Sequence, residues 1–167
     1  MSTIGGMNSN SLFPYIDYEA FKQHPKIIIG YSDVTAILLA IYAKTGIQTF
    51  YGPALVHSFG EFEPFVNHTY DYFKDILIEE QSQPYEMKVP LYWTDEFVNW
   101  EEKTKEKDQR RNEWICVYEG IATGRVIGGN LNTIQGIWGS AYMPEVRKGD
   151  ILFIEDTMKK LSAVSRY

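Results

Sequence analysis

The stretch from Lys26 to Ile41, KIIIGYSDVTAILLAI, constrains the fold more than any other. Ile27, Ile28 and Ile29 form a short continuous run of β-branched side chains, the pattern of a buried strand in a parallel sheet. Past Gly30 the period changes. Val34, Ile37, Leu38 and Ile41 recur at helical spacing, and Gly46 stands where a C-terminal cap belongs. Ser32 therefore falls on the turn between strand and helix. The first N–H groups of a helix lack intrahelical acceptors, and its dipole favours negative charge nearby. A hydroxyl at such a place can attack a carbonyl while adjacent amides hold the oxyanion. Ser32 or Asp33 reads equally as a simple helix cap, and the pattern alone leaves both readings open.

Upstream, GGMNSN from Gly5 to Asn10 is a glycine pair followed by small polar residues, either a structural turn or a loop able to bring backbone amides to an anion. Leu12 to Phe21 predicts a short helix or two turns, ended by His24 and Pro25. Downstream, TFYGP from Thr49 to Pro53 reads as a second short strand closed by a Gly-Pro turn. A β-helix-β order fits a parallel arrangement with a right-handed crossover, in which ligands sit at the carboxyl ends of the strands. The apolar positions of Phe65 to Ile78 suit an amphipathic surface helix.

Residues 79–114 change character. Tyr92, Trp93, Phe97 and Trp100 lack core periodicity and either pack a loop or form a stacking wall for a planar ligand. The run EEKTKEKDQRRNE carries both signs and reads as a solvated loop or exposed helix. ICVYEG and ATGRVIGGNLNT then predict two strands with a turn between them, the second closing in a glycine pair followed by Asn130 and Asn132. Cys116 lies between Ile115 and Val117, so a buried strand thiol is expected. ILFIED predicts a further buried strand that ends in Glu155 and Asp156, placed to orient a ligand or to cap a helix.

Length and charge narrow the function classes. With 167 residues and a hydrophobic share of 44% the chain suits a globular domain with a real core, and these shifts in character divide it into 1–80, 81–114 and 115–167. A net charge of -6 argues against nucleic acid as the main partner. One cysteine permits no internal disulfide. No apolar stretch reaches the roughly 18 residues of a membrane span, and a cytoplasmic protein is the expectation. The histidines His24, His57 and His68 share no metal-ligand spacing with cysteines or carboxylates, so neither a metal nor another cofactor is expected. Both ends read as cuts, the first into a strand and loop, the last into a helix.

GGMNSNSLFPYIDYEAF, PKIIIGYSDVTAILLAIYAKTG, TFYGPAL, GRVIGGNLNTIQGIWGSAYMP and GDILFIED together resemble the LD-carboxypeptidase family of serine peptidases, within it the microcin C immunity carboxypeptidases. The resemblance runs across nearly the entire chain. It implies an α/β fold: a Rossmann-like parallel sheet, its amino-terminal part incomplete, joined to the start of a β-rich carboxyl-terminal domain. It also implies a Ser-Glu-His triad in which Ser32 is the nucleophile and Glu155 the acidic member. The amides of Asp33 and of Gly5 or Gly6 would form the oxyanion hole. Trp93 or Trp100 would stack an adenine, while Asn132 and Lys159 hold the rest of a peptidyl or aminoacyl nucleotide. The family commonly forms homodimers.

The family's histidine lies downstream of the glutamate, whereas no histidine follows His68 here. A serine without its base is a weak nucleophile, and losing a triad member can remove on the order of a million-fold in turnover. The stretch as written is therefore expected to be nearly inactive. Two further readings stand beside the immunity enzyme: a muropeptide LD-carboxypeptidase, whose cell-wall peptide has no base to stack, and a non-catalytic binding remnant.

Overall fold

A computed structural model describes residues 1–79, 84–99, 101–102 and 105–157. In chain order its regular elements are α1 (Tyr18–Gln23), β1 (Ile29–Gly30), α2 (Thr35–Thr45), β2 (Phe50–Tyr51), α3 (Phe65–Leu77), β3 (Tyr92–Trp93), β4 (Arg110–Arg111), β5 (Val126–Asn130), α4 (Leu131–Ile137) and β6 (Ile151–Glu155). Two 3-10 stretches, Ser9–Tyr15 and Ser32–Val34, precede α1 and α2. The fold is mixed α/β with small parallel sheets, β1 beside β2 and β5 beside β6. The chain forms two compact units, Met1–Leu55 with Ile121–Tyr167, and Val56–Gly120.

The first unit is built on α2. Its apolar residues turn Ala36, Leu39 and Ala40 into a core with Phe13, Ile127, Ile134 and Ile137. Each large side chain removed from water there contributes roughly 1.5–3 kcal/mol. Phe13 stacks on Tyr142 with ring centroids 4.3 Å apart. The helix ends as its sequence predicts, with Gly46 at φ 74° and its N–H donating to the Tyr42 carbonyl. At the other end Thr35 is fully buried, and its hydroxyl oxygen accepts the Asn130 N–H at 3.0 Å.

Close approach governs β5. A side chain on Gly128 would place its Cβ 1.6 Å from the Phe153 carbonyl oxygen, so the parallel pairing with β6 needs a glycine there. Gly129 has φ 136°, and a Cβ on it would lie 2.5 Å from Thr35 Cγ2. Asn130 then caps α4, its Oδ1 accepting the Thr133 N–H at 3.0 Å, a contribution of about 1 kcal/mol.

The predicted helices over Val34–Ile41 and Phe65–Ile78 appear as α2 and α3, and the strand in TFYGP as β2. Three strand expectations need correction. Of the isoleucine run, Ile29 alone joins β1, together with Gly30, and Ile27 is 56% exposed, because the pairing with β2 covers two residues. Residues 115–120 form no strand, and Cys116 is exposed rather than buried: without a ladder partner, Ile115 and Val117 face solvent with it. β6 forms as expected but is not a buried strand. Among the described residues β5 is its one partner, so Leu152, Phe153 and Ile154 stay about half exposed.

In the second unit β3 and β4 pair antiparallel, Trp93 opposite Arg110, with the Arg110 guanidinium 5.5 Å from the Trp93 ring centre. The mixed-charge run is not uniformly solvated. Lys107 is largely buried and pairs with the buried Glu61 at 2.8 Å, because an ammonium leaving water needs a carboxylate beside it. Among the described residues no helix is long and apolar enough to cross a membrane.

Candidate active site

Ser32 follows β1 and has φ 56°, the left-handed region, which a non-glycine residue occupies only when its surroundings hold it there. Two contacts do so. The Ser32 N–H donates to the Tyr51 hydroxyl at 3.0 Å. The following 3-10 turn closes with the Val34 N–H donating to the Tyr31 carbonyl. Asp33 is buried, and its Oδ2 accepts both the N–H and the hydroxyl of Ser9, at 2.8 and 2.6 Å. These two hydrogen bonds from Ser9 tie the GGMNSN loop to the serine turn.

Gly5 lies directly against that turn. A Cβ built on it would sit 3.0 Å from Ser32 Cβ, 3.1 Å from Ser32 Oγ and 3.9 Å from the Asp33 nitrogen. The Gly6 position faces Asp33 Oδ2 at 3.2 Å. A side chain at position 5 would crowd the space beside the Ser32 hydroxyl and the Asp33 amide.

Glu155 ends β6, and two donors converge on its Oε1: the Tyr51 hydroxyl and Asn130 Nδ2, the latter at 3.0 Å. Burial, reinforced by the bond to Glu155, raises the Tyr51 phenol far above its ordinary range. Burial and then the Glu155 charge also push Tyr31 upward. Both phenols therefore stay protonated near neutral pH, and Tyr51 remains a donor to the carboxylate.

Of the residues singled out in the sequence, Gly5, Gly6, Ser32, Asp33 and Glu155 all belong to the first unit, Glu155 reaching the serine turn through Tyr51. Asn132 lies exposed on α4, while its neighbour Asn130 is the asparagine bonded to Glu155. Trp93 is in the second unit, where it lines a cavity of about 360 Å³ with Tyr92, Phe65, His57 and His68. Trp100 and Lys159 lie outside the described residues. Among the described residues no cluster of histidine, cysteine, aspartate or glutamate is arranged to hold a metal.

Sequence reasoning missed Tyr51, Asn130 and Thr35. Each had a local signal: a tyrosine at the carboxyl end of a strand, an asparagine opening an N-x-x-T helix start, and a threonine at the first position of an apolar helix. None of these signals names a partner.

The model of the LD-carboxypeptidase N-terminal domain matches residues 1–52, and that of the LD-carboxypeptidase C-terminal domain matches residues 123–167. The chain belongs to the LD-carboxypeptidase family. Within this family it is 58% identical over 166 residues to a Vibrio cholerae protein with a provisional carboxypeptidase name, covering 99% of this chain and 49% of that one. The microcin C7 self-immunity protein MccF of Escherichia coli is 54% identical over 168 residues, covering 99% and 49%. The solved structure of MccF in complex with aspartyl sulfamoyl adenosine is similar with a TM-score of 0.92 at 55% identity, covering 99% of this chain and 50% of that chain. The chain thus spans about half the length of the relatives it matches.

Proposed function

We propose that the chain carries the nucleophile side of a serine carboxypeptidase of the microcin immunity type, which hydrolyses an amide next to a carboxyl-terminal acyl nucleotide or dipeptide. The observation that carries this reading is the hydrogen-bonded path from the Ser32 N–H through the Tyr51 hydroxyl to Glu155, beside the close approach of Gly5. Ser32 Oγ attacks the scissile carbonyl and gives its proton to an imidazole oriented by Glu155. The Asp33 amide and one from Gly5 or Gly6 receive the oxyanion. The protonated imidazole then passes its proton to the departing amine, and water releases the acyl group from Ser32.

No histidine follows His68 in these 167 residues, and both groups bonded to Glu155 are donors of other types. In this reading the stretch by itself, lacking an imidazole bonded to Glu155 among the described residues, reacts slowly. The acyl nucleotide is favoured over a cell-wall peptide because MccF, a close relative, is solved with aspartyl sulfamoyl adenosine. In this reading Trp93 or Trp100 stacks the base, and Asn132 and Lys159 hold the remainder. Homodimer formation and cytoplasmic residence complete the proposal, on the strength of the family resemblance.

Intact-mass analysis after treatment with a fluorophosphonate probe, with and without excess imidazole, tests it. One imidazole-dependent adduct is expected, absent in Ser32→Ala and suppressed by an acyl sulfamoyl adenosine. An adduct at another serine, or none in the presence of imidazole, refutes the nucleophile. Protection by a muropeptide instead of the nucleotide transfers the chain to cell-wall peptide cleavage.

A further inference from the structure

Among the described residues the two sheets of the first unit share no strand pairing: β1 runs beside β2, and β5 beside β6. Ser32 follows the end of one sheet and Glu155 ends the other. A nucleophile and a triad carboxylate must keep their relative placement to a fraction of an ångström. Here the packing of α2 against β5 brings the strand ends together, and two hydrogen-bonded links that involve side chains join them. One is the Asn130 N–H on Thr35 Oγ1 at 3.0 Å. The other is the Tyr51 hydroxyl, which reaches the serine turn and the carboxylate together.

We infer that Tyr51 is a positioning residue that holds the Ser32 turn in register with Glu155 through the two hydrogen bonds of its hydroxyl. The inference rests on the roles of Ser32 and Glu155 proposed above. The direction of both bonds is forced: a backbone amide only donates and an ionised carboxylate only accepts, so the phenol proton points to Glu155. Two structural consequences follow. The Ser32 N–H is engaged by the phenol, which leaves the oxyanion to the Asp33 and glycine-loop amides. Oε1 of Glu155 takes both Tyr51 and Asn130, which fixes the carboxylate. The Tyr51 ring is supported by Phe153 of β6, with centroids 6.1 Å apart.

The test compares Tyr51→Phe, a series of fluorinated tyrosines at position 51, Ser32→Ala and Glu155→Gln. The readout is imidazole-supported fluorophosphonate labelling, resolved into a saturating rate and a half-saturating probe concentration. Loss of the hydroxyl should lower the saturating rate by up to about 10²-fold, the loss that a misplacement of about 1 Å can produce. Half-saturation should stay unchanged. The fluorinated tyrosines keep the ring's shape, so a purely structural role leaves their rates at the parent value, whereas positioning through the O–H bond makes the rate change progressively with phenol acidity. A parent-like rate in Tyr51→Phe overturns the inference, as does a flat fluorinated series in a chain where Tyr51→Phe fails to fold. Labelling that survives Ser32→Ala defeats the nucleophile assignment instead, which separates that failure from a failure of the role given to Tyr51.

Discussion

Replacing Gly5 by alanine adds one methyl group at the most sensitive point of the candidate site. Its Cβ would start 3.0 Å from Ser32 Cβ and 3.1 Å from Ser32 Oγ. Both contacts are tighter than ordinary van der Waals packing, so the neighbouring atoms must give by a few tenths of an ångström. The backbone at Gly5 lies outside the left-handed region, so alanine meets no torsional penalty and the effect is steric alone. The serine turn yields poorly, being already at φ 56° and held through its N–H by Tyr51. The glycine loop therefore moves away and takes its amide out of reach of the oxyanion. The loss of one oxyanion donor reduces the rate by about 10²-fold or more. Stability should fall by only about 1 kcal/mol, the low end for overpacking, because the loop is partly exposed.

Imidazole-supported labelling of Ser32, with urea denaturation of the same protein, measures both quantities. Gly6→Ala is the internal comparison: its Cβ meets Asp33 Oδ2 at 3.2 Å and no atom of Ser32, so it should lose less. A parent-like labelling rate in folded Gly5→Ala would refute the assignment of this loop to the oxyanion. A larger loss in Gly6→Ala than in Gly5→Ala would move the donor to Gly6.

Gly129→Ala should destabilise strongly, since a side chain at φ 136° costs about 1–3 kcal/mol in backbone strain and its contact with the buried Thr35 adds an overpacking penalty of about 1–3 kcal/mol; urea denaturation against the parent reads the sum. The Arg125 guanidinium beside Asp150, helped by the Arg147 N–H, holds the Asp150 carboxyl at about 2, below its ordinary 3.8. The unfolded chain then binds the proton more readily than the folded one, so the stability from this pair is complete above about pH 4 and disappears as the pH falls toward 2. Melting temperatures of the parent and Asp150→Asn should differ at neutral pH and converge across that window.

Local patterns with local causes were legible in the chain. The change from an apolar run to helical spacing around Gly30 located the strand, the serine turn and α2, because periodicity reports which face is buried. Gly46 announced its cap because glycine takes the left-handed φ of 74° without strain. The failures share one origin. Ile115, Cys116 and Val117 have the composition of a strand, but a strand needs a partner ladder, and sequence does not say which segment supplies it. The apolar face of β6 was likewise read as buried from composition, and its burial depends on neighbours that these residues do not specify.

By itself the sequence determined the family, the α/β order and the turn that carries Ser32, since each is written in contiguous residues and their spacing. Tertiary structure decided which groups meet: Gly5 against Ser32, Ser9 on Asp33, and Tyr51 with Asn130 on Glu155. Those contacts join residues between 24 and 104 positions apart. Hydrogen bonds act over about 3 Å, so a link across such a separation exists only once the packing of α2 against β5 and α4 has brought the strand ends together.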